Sequence, residues 1–335
     1  MKVTPPTTRS TLVLELAEEL ALRTRVRAAK VFLDTGSDTD LGLFGSSTIA
    51  GIHAVAECEV ALAIVNPSAT LTLAFRGTGP FPKPLPVRTL AVIPSRDEIV
   101  FAVNPRSGLE SVEEIARQRP RLRIGVRAQP DHSLHFILDD IMRASGFSRS
   151  HIDAWGGEFR FEGSIPEPDS RKFRALVDGS LDAIFDEGAD EWLEAALNAG
   201  MSILSLSEAA VQALEADGYR RAILAHAQYP RLRQDVITID FSGWAIFVHS
   251  ETSDETVTQI CQALEARKDR IPWQEDGPLP LERMVSNSRE APYDVPLHAA
   301  AERFWRECGY LRGASSDGTA SSTAAEVLTR GYDFR

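Results

Sequence analysis

The sequence predicts an α/β fold in two lobes. Apolar runs of strand length alternate with helix-length stretches through most of the 335 residues. That alternation argues for largely parallel strands with helices on their faces. A chain this long can bury two cores. The order of blocks makes the first lobe discontinuous, with residues 1–97 and 243–311 in one lobe and 98–242 in the other. Extended passages near 94–100 and 238–248 would cross between them. Residues 312–335, rich in Ser, Thr, Ala and Gly, read as a flexible tail.

In chain order, a helix over 11–24 precedes a strand at Lys30–Asp34, then a Gly- and Asp-rich loop over 35–47 and a helix over 48–59. A strand at Val60–Val65 ends at Asn66-Pro67-Ser68, and residues 75–86 read as a loop because of their Gly and Pro content. A strand at Thr89–Ile93 closes the block. The next block opens with a strand at Ile99–Val103 that runs into Asn104-Pro105. Ser111 then stands three residues before Glu114, the spacing of a capping box. A strand at Leu122–Val126 breaks at Gln129-Pro130 and opens a helix at Asp131 that runs to Ser145. Residues 155–168 read as variable. Helices over 170–178, 191–199 and 207–217 alternate with strands over 179–186 and 200–206. Strands at 236–240 and 245–248, a helix over 254–268 and a last helix over 298–308 complete the pattern.

Composition excludes several classes. A net charge of −12 argues against nucleic acid as a partner. No apolar run approaches the roughly 18 residues of a membrane span, so membrane insertion is not expected. Cys58, Cys261 and Cys308 are odd in number and widely spaced, which gives neither a metal motif nor a disulfide framework. Glu15, Glu18 and Glu19 interrupt the only early apolar stretch, so that stretch reads as an amphipathic helix rather than an export signal. As written the chain is expected in the cytoplasm, and in the periplasm if its true start differs.

Candidate site residues cluster at the carboxyl ends of the expected strands, where open α/β sheets bind ligands. Arg127, Gln129, Asp131, His132 and Ser133 form the first group, where a cation and a helix N-terminus would act on one anion. Thr35, Gly36 and Ser37 form a second, small enough for close backbone approach. Asn66 and Ser68 would hydrogen-bond a carboxylate, or simply make a turn. Asp186 and Glu187 suit an amine, a hydroxyl or a metal, while Asp190 fits as the N-cap of the next helix. Trp244 would stack on a ligand or, as the favoured alternative, fill the interlobe core. His132, His135 and Asp139 share a helix face, but no His-Glu-x-x-His spacing supports a metal site. No Gly-x-Ser-x-Gly elbow and no phosphate-binding Gly-Lys loop is present. Neither a cofactor nor a metal is expected.

Five stretches resemble a known family. These are Glu57–Asn66 (with Ala61 in place of the usual acid), Val100–Ile115, Ile124–Ser133 (without the usual run of glycines), Leu176–Asp186 and Val295–Gly309. Together they resemble the TAXI solute-binding subunits of TRAP transporters. The resemblance implies a two-lobe clamshell of the type II periplasmic-binding-protein kind with parallel and mixed sheets. It also implies a small organic anion, a carboxylate, bound between the lobes, and TRAP membrane subunits as partners. Two departures stand out. Family members carry an export signal, and they begin with a strand and a Gly/Tyr ligand loop before the first helix. The alternatives are a signal-less enzyme on the same fold, a decarboxylase or lyase acting on an organic acid, and a cytoplasmic ligand sensor. Binding without catalysis is the favoured reading.

Overall fold

The computed structural model describes residues 9–24, 26–34 and 41–311. The first stretch holds α1 (Arg9–Arg23), β1 (Ala28–Leu33), β2 (Leu41–Ser46), α2 (Ala50–Ala56), β3 (Leu62–Val65), α3 (Ser68–Arg76) and β4 (Val87–Ile93). The second runs through β5 (Val100–Val103), α4 (Val112–Gln118), β6 (Arg123–Val126), α5 (Leu134–Ala144), α6 (Arg149–Ala154) and β7 (Glu158–Phe161). It continues with α7 (Arg171–Asp178), β8 (Ala183–Asp186), α8 (Ala189–Asn198), β9 (Ser202–Ile203), α9 (Glu208–Asp217), β10 (Arg221–Leu224) and β11 (Val236–Ile239). The last holds β12 (Trp244–His249), α10 (Asp254–Arg267), α11 (Leu281–Met284) and α12 (Ala299–Glu307).

Among the described residues, two five-stranded sheets form the two lobes, in the orders β1-β2-β3-β12-β4 and β7-β6-β8-β5-β9. Strands β10 and β11 pair as a separate ribbon. Each main sheet contains one strand whose chain has just crossed from the other lobe. β12 runs antiparallel to β3 and β4, and β5 runs antiparallel to β8 and β9. The remaining inner pairs, β2 with β3 and β6 with β7 and β8, are parallel. This is the two-lobe α/β clamshell with mixed sheets.

The two crossing passages pair with each other. Ile99 N–H donates to Ile239 O, Phe241 N–H to Asp97 O and Gly243 N–H to Ser95 O, at 2.9–3.0 Å. Gly243 is required there: its φ is +79°, and a Cβ would stand 2.8 Å from Pro292 and Val92. The lobes also share apolar packing. Leu71 and Leu73 of α3 belong to one buried cluster with Leu138 and Ile141 of α5 and with Leu214 of α9. A second cluster lies under α10 and α12 with Trp305 at its centre, and a third under α7 and α8 around Trp192.

Several elements differ from the sequence expectation. Leu41–Ser46, expected as loop, forms β2, which pairs antiparallel with β1 and parallel with β3. Its two glycines hid an alternation of Leu41, Leu43 and Gly45 on one face. The helix expected from Asp131 starts at Leu134, because residues 131–133 form a turn that joins the lobes. Ser111 precedes α4 but does not cap it; Glu114 instead accepts the Glu110 N–H at 2.6 Å. Asp190 is not the N-cap of its helix, since α8 starts at Ala189 after Gly188 in a left-handed conformation, and Asp190 accepts the Tyr229 hydroxyl at 3.0 Å. The expectations for residues 35–40 and 312–335 lie outside the described residues.

Candidate functional site

Strand register builds the centre of the site. β6 and β8 run parallel with Ile124 opposite Ala183 and Gly125 opposite Ile184. Two residues further along each strand, Arg127 stands beside Asp186. Arg127 Nη2 donates to Asp186 Oδ1 at 2.6 Å and to Glu187 Oε1 at 2.6 Å, with Nε also on Asp186 Oδ1 at 3.2 Å. Lys172 of α7 reaches the other oxygen of Asp186 from below. Gly125 makes room for it: a Cβ there would lie 3.5 Å from Lys172 Cγ and 2.7 Å from Leu181. Lys172 lies on the buried side of α7 with Phe173 and Leu176, although its neighbours Arg171 and Arg174 are exposed.

Both partners of this ion pair are almost fully buried, Asp186 at 0% and Lys172 at 2% exposure. Burial pushes the Lys172 ammonium below its usual range, opposed by the adjacent Asp186 charge. Burial raises the Glu187 carboxyl to about 7, against the pull of Arg127. Its Oε1 is held by Arg127, while Oε2 is buried with no partner. His132 Nε2 lies 3.8 Å from Glu187 Oε1. The His132 Nδ1 accepts the Leu134 N–H at 3.2 Å, so the neutral ring carries its proton on Nε2. Burial and the nearby Arg127 lower its pKa to about 3, which keeps it neutral. Asp97, on the first crossing passage, accepts the Gly188 and Ala189 N–H groups at 2.8 and 3.2 Å, and burial pushes it well up.

Above this cluster lies a cavity of about 480 Å³ between the lobes. Its lobe-two side is polar, with Arg127, Gln129, His132 and Glu187. Its lobe-one side carries Ile64, Val65, Ala28 and Trp244, together with Asn66 and the Ser46-Ser47 turn. Bonds across the lobes close one end. The Gln129 amide meets Ser47 Oγ at 3.1 Å, the Ser133 N–H donates to Ser47 O at 3.3 Å, and the Ser133 hydroxyl donates to Asn66 O at 3.3 Å.

The structure thus gathers Asn66, Arg127, Gln129, His132, Glu187 and Trp244 around one cavity. It does not bring the other candidates to that surface. Ser68 is buried and donates to Ser242 O at 3.2 Å, and Ser133 is spent on the lobe contact. Asp186 lies behind Arg127, and Asp131 is an exposed turn residue. Thr35, Gly36 and Ser37 lie outside the described residues. Arg127 already faces two carboxylates, Asp186 and Glu187. One reading is corrected. Trp244 does not fill the core but is 46% exposed on the cavity. The pairing of His132, His135 and Asp139 dissolves as well: His135 Nε2 bonds Gln129 O at 2.8 Å, and Asp139 pairs with Arg149. Among the described residues, no group of three or more His, Cys, Asp or Glu side chains is placed to hold a metal ion.

Lys172, Asp97 and Arg27, the last of which also lines the cavity, were not read from the sequence. For the Arg127–Asp186 pair a signal existed. Arg123 and Arg127 are four apart on β6, and Asp182 and Asp186 are four apart on β8, so one register pairs both sets.

The NMT1-like family model matches residues 45–309, most of the chain. The chain belongs to the NMT1-like family. No curated protein sequence gives a significant match to this NMT1-like protein. Solved structures that resemble it include the periplasmic aliphatic sulphonate binding protein SsuA from Escherichia coli. That likeness has 12% identity over 64% of this chain and 56% of that one, with a TM-score of 0.29. The alkanesulfonate-binding protein SsuA from Xanthomonas axonopodis pv. citri, bound to MOPS, has 14% identity over 76% and 68%, with a TM-score of 0.26. A periplasmic binding protein from Brucella ovis with glutathione bound has 15% identity over 64% and 51%, with a TM-score of 0.29. The NMT1-like protein therefore spans less than two thirds of the length of the Escherichia coli and Brucella ovis proteins. Overlaps this loose carry nothing about its ligand.

Proposed function

We propose that this NMT1-like protein binds a small organic acid in the interlobe cavity, with its acid group toward Arg127 and a flat apolar body against Trp244. One observation carries the reading: the cavity is two-sided, polar where Arg127, Gln129 and His132 line it and apolar where Ile64, Val65 and Trp244 do. Its volume suits a small ligand. The hydrogen bonds of Arg127 to Asp186 and Glu187 use Nε and Nη2 and leave Nη1 over, and the neutral His132 presents an N–H. Both are donors for a carboxylate or sulfonate oxygen. The resemblance to TAXI subunits extends the proposal to delivery of the acid to TRAP membrane subunits.

The test is calorimetric titration with acetate, succinate, phenylacetate and benzenesulfonate at about pH 6. The expected result is tighter binding of the two aromatic acids than of acetate and succinate, weakened by about 1.5–3 kcal/mol in Arg127→Ala, the range for hydrogen bonds to charged groups. Arg123→Ala, at the far end of the same strand, leaves it unchanged. Binding that ignores Arg127 moves the acid site elsewhere.

A second reading rests on Glu187. A buried carboxyl raised to about 7 beside a ligand cavity is poised for proton transfer. A lyase or decarboxylase acting on the same class of acid would use it so. Consumption of a bound acid, followed by NMR, separates catalysis from binding alone.

A further inference from the structure

The inference deepens the acid-binding reading and rests on it. Glu187 and a bound acid need the same guanidinium. Glu187 Oε1 already takes Arg127 Nη2 at 2.6 Å, and its Oε2 is buried, unpartnered and part of the cavity lining residue. An acid drawn to Arg127 brings a second negative charge against Glu187, whose own carboxyl is buried. Two carboxylates sharing one such site do not both stay ionised. We propose that acid binding is coupled to protonation of Glu187: the bound anion joins Glu187 on the Arg127 guanidinium, and Glu187 takes one proton from solvent and becomes a donor to the anion.

The surrounding groups assign the proton to Glu187. Arg127 faces it from the end of β6, and Lys172 lies below on α7, bound to Asp186. Arg127 accepts no proton, and Lys172 is tied to Asp186 rather than facing the cavity. Asp186 is held by both cations. Asp97 on the crossing passage is also pushed up by burial, against three backbone N–H groups on one oxygen, from Glu98, Gly188 and Ala189, but it does not line the cavity and so does not face a bound acid. Glu191 faces Glu187 from α8 but is exposed to solvent. His132 would have to be protonated on Nδ1, at the cost of the Leu134 N–H bond. That leaves the carboxyl with the free buried oxygen. Its titration near 7 puts the exchange within an accessible range.

The probe is benzenesulfonate, which stays charged at every pH used, so any proton counted belongs to the protein. Titration calorimetry in buffers of different ionisation enthalpy gives the number of protons taken up. Near pH 8 the wild-type protein takes up close to one proton per benzenesulfonate, and its Kd weakens about tenfold per pH unit above about 7. Glu187→Gln keeps the size and hydrogen bonding of the side chain. It binds benzenesulfonate with no proton uptake and with a Kd that is flat across the same range; a cooperative melting transition shows that it is folded. Wild-type binding without proton uptake, or uptake that persists in Glu187→Gln, overturns the coupling and leaves acid binding standing. No binding of benzenesulfonate by either protein between about pH 5.5 and 9 overturns the acid-binding reading and the coupling with it.

Discussion

Arg127 meets Asp186 across the sheet at 2.6 Å because β6 and β8 run parallel with Gly125 opposite Ile184. The same register pairs Arg123 with Asp182 at 2.8 Å, four residues back along both strands. The two pairs differ in burial and in their neighbours, since Lys172 and Glu187 join only the second. At the open end both side chains keep about a third of their exposure; at the cavity end Asp186 has none.

That difference predicts unequal costs. Arg127→Ala leaves Asp186 and Glu187 buried with one cation fewer, and should destabilise the fold by about 3–5 kcal/mol. Arg123→Ala breaks a half-exposed pair and should cost about 1 kcal/mol or less. Urea unfolding of the two variants checks the ranking.

Lys172 should be replaceable only together with its partner. Lys172→Met strands Asp186 with Arg127 alone and should cost about 3–5 kcal/mol, whereas removing one charge from each side is often close to neutral. Lys172→Met with Asp186→Asn should therefore recover much of the loss. A double-mutant cycle on unfolding free energies measures the coupling.

Glu187 sets a pH dependence of stability. Its folded value, about 7, lies above its ordinary 4.5, so the folded state holds the proton more tightly than the unfolded chain. The contribution is complete below about 4.5 and is lost as the pH rises through about 7, a span of about 3 kcal/mol. Asp240, raised from 3.8 to about 6 by burial, acts in the same direction over a lower window. Melting temperatures between about pH 5 and 8 should fall in the wild type and fall less steeply in Glu187→Gln.

Trp244 tests the apolar side of the cavity. It is 46% exposed, so Trp244→Ala should change stability by about 0.5 kcal/mol or less. Loss of aromatic contact should weaken phenylacetate by about 0.5–1.5 kcal/mol beyond any effect on acetate. Paired titrations with the two acids separate stacking from acid recognition.

The alternation of strand and helix was legible because each buried strand is a short apolar run, as in Ala183–Asp186 or Val100–Val103. Leu41–Ser46 escaped because Gly42 and Gly45 give a strand the composition of a loop. Arg127, His132 and Glu187 were legible from their place at strand ends. Their mutual neutralisation was not, since it depends on a register between segments 59 residues apart. Lys172 looked like one solvated cation among Arg171 and Arg174, and only packing over Gly125 draws it inward. Trp244 was misread because aromatic size favours burial, while its position at the start of β12 leaves it facing the cavity.

The most direct measurement is a crystal structure of the protein grown with benzenesulfonate at about pH 6. The account predicts the sulfonate within hydrogen-bond distance of Arg127 and His132, with the ring against Trp244 and the Arg127–Asp186 pair intact. A sulfonate bound away from Arg127, or a cavity left without it at saturating concentration, would contradict the account.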